Sequence, residues 1–161
     1  MGAEAGAVRI AVDARELSGS PTGVGRYLAE ILAAWKSLPE AASHEVVLMQ
    51  PDAGTGGTRW EQVTLPRLLW QQGADVLFAP AYTGPVLCPV PMVLTIHDVS
   101  FAAHPEWFRW REGLRRRTLT RAAARRAASV LTLTDFSRRE IHRHLGVPLE
   151  RITLAAPGPS G

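Results

Sequence analysis

The chain has one cysteine in 161 residues, Cys88, which excludes an internal disulfide and any thiolate zinc cluster. It lacks an apolar run approaching the ~20 residues of a membrane span. Its first residues, Met1-Gly-Ala-Glu-Ala-Gly-Ala7, hold neither a basic segment nor a long hydrophobic stretch, so no secretory signal is read there. Met1-Gly2 is not a myristoylation start, because position 6 is glycine rather than serine or threonine. No Asp-x-Asp sequence is present to hold a divalent ion. A cytoplasmic location is the expectation that follows.

What is present is the composition of a globular protein, 46% hydrophobic and 20% charged, long enough for one core and short for two ordinary domains. Short Val/Ile/Leu-rich runs predict strands at 8–13, 45–49, 75–79, 92–96, 129–134 and 151–155. Helical periods alternate with them. Leu28, Ile31, Leu32 and Trp35 form one stripe, and Ser137-Arg-Arg-Glu140 reads as a capping box opening a helix that ends at Gly146. The alternation predicts an α/β fold with a doubly wound, mostly parallel, Rossmann-like sheet and helices on both faces. The stretch 52–58 reads as a surface loop.

Two features suggest chemistry. His97-Asp98 follows the apolar run 91–96, and ligands in open α/β sheets bind beyond the carboxyl ends of such strands. Gly23-Val24-Gly25 opens the first amphipathic helix, where unsatisfied N–H groups favour an anion such as a diphosphate. A dinucleotide fingerprint is excluded: Leu28 stands where its third glycine would be, and Gly23 lies ten residues beyond Asp13. A plain tight turn is the alternative. His97, Asp98, His104 and Glu106 are close in sequence, but the loop holding Pro105 argues against an ordered zinc site. His142 and His144, two apart on a helix, read as surface histidines.

The segment 105–128 carries eight arginines against two glutamates, a charge of +6 in a chain of +3, so the remainder is −3. Trp107, Trp110 and Leu114 are expected to pack this helix on the sheet. Its positive charge fits either a solvated helix or attraction to an anionic membrane surface. A non-catalytic basic binding module for nucleic acid or an anionic membrane surface is the alternative class, which the pI near 9.7 invites. Against it, the arginine-dense stretch 111–126 has no aromatic stacking platform and no nucleic-acid-binding signature appears, so no nucleic acid is expected.

Taken in order, VRIAVDAREL, TGVGRYLAEIL, GADVLFAPAY, VPMVLTIHDVSFAAHPEWF and AARRAASVLTLTDFSRREIHRHLGVPLERITLAAPGPSG resemble the N-terminal domain of family 4 (group 1) GT-B glycosyltransferases. The resemblance covers Val8 to about Gly158. It implies a hexosyltransferase, mannosyl- or glucosyl-transferring, that moves a sugar with retention from a nucleotide-sugar donor to a glycan or lipid-linked acceptor in glycan biosynthesis. It implies His97 as the catalytic residue beside the donor sugar, and Gly23, Val24 and Gly25 as the donor diphosphate contact. Arg15, Tyr82 and Asp98 are its candidates for acceptor binding. No cofactor and no metal are expected, the nucleotide sugar being substrate. Residues 1–156 would form the acceptor-side domain and 157–161 the start of an interdomain linker, with the second domain absent. This chain alone would then be inactive, and the 105–128 segment could bring it peripherally to the inner face of the membrane.

Overall fold

In the computed structural model, which describes residues 6–20, 22–100 and 110–155, six strands lie where the sequence predicts them. They are β1 (Arg9–Asp13), β2 (Glu45–Met49), β3 (Val76–Ala79), β4 (Met92–Thr95), β5 (Ser129–Thr132) and β6 (Ile152–Leu154). Their order is β2-β1-β3-β4-β5-β6 in a parallel sheet. The direction of winding reverses between β1 and β3, the switch point of a doubly wound α/β fold. The helices are α1 (Gly23–Lys36), α2 (Leu65–Gln71), α3 (Trp110–Arg126) and α4 (Asp135–Leu145). The chain forms two compact units.

The first unit runs to Phe78 and includes Pro89–Pro91. Its core joins Val12, Ala14 and Leu28 with the half-buried Ile10, Leu17, Leu32, Val46 and Phe78. Thr22 caps α1, its hydroxyl accepting from Gly25 N at 2.9 Å. A single π-helical turn, Trp60–Thr64, leads directly into α2. No helical period is legible over this element, because the widened turn and Pro66 break the 3.6-residue repeat. Residues 52–57 are exposed loop, and the loop expected over 52–58 ends one residue early because Thr58 and Arg59 are already helical.

The second unit comprises Ala79–Cys88 and the chain from Met92 onward. Leu94, Ile96, Val130, Ile141, Leu145 and Val147 are fully or almost fully buried in it. Here α3 departs from expectation. Leu114 is 51% exposed, and the buried residues are instead Gly113, Thr120, Ala123, Ala124 and Ala127. Small side chains at helical spacing let the helix backbone approach its neighbours closely, leaving the leucine off the packed face. Trp107 and the side chain of Trp110 lie outside the described residues.

The start of α4 is also corrected. Thr134, not Ser137, is the cap, its hydroxyl accepting from Ser137 N at 3.0 Å. The helix therefore begins three residues earlier, and Glu140 faces His144 at 3.1 Å rather than closing a capping box. Gly146 ends it in the left-handed region, φ 70°, as the sequence implied.

Candidate active site

In the first unit, β1 delivers Asp13 to its carboxyl end, where the strand stops and the chain turns through Arg15–Leu17 towards α1. Asp13 is 1% exposed. Arg15 Nη2 lies 2.9 Å from Asp13 Oδ2 and also reaches Glu61 Oε2; the Arg15 side chain is only 16% exposed. Trp60 Nε1 donates to Asp13 Oδ1 at 3.4 Å. The π-helical turn thus presents both Trp60 and Glu61, each buried, to the strand end. Burial raises the Asp13 carboxyl above its usual range although Arg15 opposes it. Burial alone would lower the Arg15 guanidinium, but Asp13 and Glu61 outweigh it and hold it up. Arg15, a residue expected to bind acceptor, is committed to two carboxylates of its own chain. Nothing local in the sequence pairs Arg15 with Glu61, 46 residues away.

The three residues of the glycine turn are not equivalent. Gly25 N–H is used by Thr22, while the N–H groups of Gly23 and Val24, in the first turn of α1, have no acceptor among the described residues. A Cβ on Gly25 would stand 2.5 Å from the Glu16 carbonyl oxygen; one on Gly23 would meet nothing within 4 Å. Gly25→Ala is therefore expected to destabilise by about 1–3 kcal/mol through overpacking against backbone. Gly23→Ala should be neutral or stabilising by up to about 1 kcal/mol. Urea denaturation of the two variants checks this, and equal losses would contradict it.

The second unit holds the other residues. Beyond β4, Ile96 donates its N–H to Leu131 O at 2.9 Å, which fixes the chain before His97. His97 Nε2 lies 3.0 Å from Pro80 O, and its own carbonyl accepts from Ser137 Oγ at 3.3 Å. A carbonyl can only accept, so Nε2 carries the proton, and in the corresponding neutral tautomer the lone pair is that of Nδ1. The Tyr82 ring stands 5.2 Å from the imidazole, tilted by 58°. Tyr82 has φ 65°, a costly conformation for an aromatic residue, and its N–H donates to Thr95 O at 3.0 Å. Its hydroxyl donates to Asp98 Oδ2 at 2.9 Å, and Arg116 lies over its ring at 5.7 Å.

Asp98 Oδ1 accepts from the backbone and hydroxyl of Ser100 at 2.9 and 2.7 Å. Burial alone would raise this carboxyl, but the hydrogen bonds from Ser100 and Tyr82, with His97 nearby, hold it below the ordinary carboxylate range. Burial, and then the Asp98 charge, push the Tyr82 phenol up. The structure thus brings His97, Tyr82 and Asp98 together. The result is an anionic acceptor and a tautomerically fixed imidazole, joined through a phenol, at the end of a parallel strand.

His104 and Glu106 lie outside the described residues. Among the described residues no group of three or more His, Cys, Asp or Glu could hold a metal ion, and no helix is long and apolar enough to cross a membrane. His142 Nδ1 lies 2.8 Å from Val147 O, and His144 pairs with Glu140.

A parallel, doubly wound sheet with polar groups beyond its strand ends defines the chain as a Rossmann-like α/β domain. More particularly, the chain belongs to Glycosyltransferase Family 4, whose family model matches residues 36–158. No curated protein matches the chain. The β4 to His97-Asp98 segment and the basic helix fall inside the matched range; Arg15 and the glycine turn precede it.

Proposed function

We propose that this chain is the acceptor-side half of a retaining hexosyltransferase that moves a mannosyl or glucosyl group from a nucleotide sugar to a glycan or lipid-linked acceptor. The observation that carries the reading is His97: in a family 4 domain, its imidazole follows a parallel strand with one tautomer fixed by Pro80, beside the Tyr82–Asp98 pair.

The imidazole hydrogen-bonds the donor sugar and offsets the positive charge that develops as the glycosidic bond breaks. Asp98, held as a carboxylate, accepts from an acceptor hydroxyl, and Tyr82 directs it. The N–H groups of Gly23 and Val24 meet the donor diphosphate at the start of α1, and Gly25 permits the turn. Arg15 serves acceptor binding through the loop it anchors. The departing diphosphate takes the acceptor proton, so the reaction asks no second carboxylate of this half. Neither metal nor cofactor enters the scheme.

The diphosphate charge has too few fixed partners here to be stabilised in the transition state, so a second domain supplies the rest. The 161-residue chain is accordingly expected to show no turnover of a nucleotide sugar, measured as release of nucleoside diphosphate. Robust transfer by this chain alone would refute the half-enzyme reading. The protein acts in the cytoplasm, its arginine-rich α3 turned to the inner face of an anionic membrane.

A further inference from the structure

In the second unit, α3 and α4 flank a half-open cavity of about 340 Å³, lined by Leu114, Arg117, Thr118, Arg121, His144 and Leu145. That volume lies within the range of small-molecule sites. Its cations are unusual. Arg117 and Arg121 are one helical turn apart on one face, and neither has a hydrogen bond or ion pair among the described residues. Like charges at this spacing repel. The nearby carboxylate, Glu140, is turned to His144 Nε2 at 3.1 Å, and Arg125 of the same helix is turned away, its Nε donating to Leu145 O at 3.2 Å. The Thr118 hydroxyl donates to Leu114 O at 2.9 Å. Beside these polar groups stand two leucines, Leu145 buried and Leu114 half exposed.

We propose that this cavity binds a phosphomonoester bearing a short apolar group. A dianion matches two guanidinium charges that no carboxylate of the described residues neutralises, and guanidinium forks fit phosphate oxygens in pairs. The apolar group covers the exposed part of Leu114, which a bare anion would leave wet, beside the already buried Leu145. The same chemistry is offered by a soluble ester and by the head group of a phosphatidic lipid. The site shares no residue with the His97 cluster or the glycine turn, so it stands or falls independently of sugar transfer.

The test titrates the protein calorimetrically with hexyl phosphate, inorganic phosphate and hexanol, and sediments it with neutral vesicles with and without phosphatidic acid. Hexyl phosphate should bind saturably and more tightly than inorganic phosphate or hexanol. Arg117→Gln and Arg121→Gln should each weaken it by about tenfold, the loss of one charge-assisted contact. Leu114→Asn should weaken hexyl phosphate while leaving inorganic phosphate unchanged. Melting temperature should not fall in the two glutamine variants, since neither arginine has a partner to lose among the described residues. Sedimentation with phosphatidic acid that disappears in Arg121→Gln identifies a lipid head group; hexyl phosphate binding without sedimentation identifies a soluble ester. Absence of saturable binding in both arms overturns the proposal. So does binding equally strong in both glutamine variants, which would mean diffuse attraction to the helix, or hexyl phosphate no tighter than inorganic phosphate.

Discussion

Arg15→Leu is expected to destabilise the protein by about 3–5 kcal/mol at pH 7, because it leaves two buried carboxylates without their common counter-charge. Asp13 and Glu61 both face the Arg15 Nη2 atom, and both are almost fully buried. Asp13→Asn should cost much less. It keeps an oxygen for Trp60 and leaves one guanidinium against one carboxylate. The pH dependence has a definite sign. A carboxyl whose folded pKa is raised, as that of Asp13 is, binds a proton more readily folded than unfolded, so stability rises as pH falls through the window between the two values. Removing Arg15 removes an interaction that lowers the Asp13 pKa and widens that window. The deficit of Arg15→Leu should therefore shrink on acidification from pH 7. Urea unfolding of wild type, Arg15→Leu and Asp13→Asn at two pH values measures it; a deficit below about 1 kcal/mol, or one that grows in acid, would show that this cluster does not hold the β1 end together.

How much of this was legible in sequence follows from where each signal is stored. Strands such as Met92–Thr95 are short, apolar runs, and the alternation with helices was enough to imply a parallel, doubly wound sheet. The strand ends then pointed to His97-Asp98 without further help. In α3 the burial of Leu114 was misread because alanine contrasts weakly with polar neighbours, whereas a leucine draws attention wherever it falls. For α4, Thr134 and Ser137 each begin a plausible cap three residues apart, and the φ of Thr134, which is extended, decides between them. The Asp13–Arg15–Glu61 cluster was out of reach, being a pairing across 46 residues that no local pattern links. The interaction of Tyr82 with Asp98 was likewise hidden, because it depends on a left-handed tyrosine that no local preference favours.

In the enzyme assembled with its donor-binding domain, His97→Ala is expected to lower kcat/KM by on the order of 10²-fold or more, about 2.7 kcal/mol of transition-state stabilisation. The loss should appear in kcat, since a group that offsets developing charge acts in the transition state more than on bound substrate. His97 also ties its loop to Pro80 through Nε2, so a purely structural role would show itself differently. In that case the melting temperature falls while the enzyme that stays folded keeps its kinetics. His97→Gln separates the two effects further. Its side-chain amide can donate to Pro80 O as the imidazole does, so stability should be largely retained, but an amide oxygen is far less basic than an imidazole nitrogen and the kinetic defect should persist. Melting temperature and kcat/KM measured on both variants decide the matter. Kinetics within a few-fold of wild type in His97→Gln would end the catalytic assignment and leave His97 as a tie between β4 and the Pro80 loop.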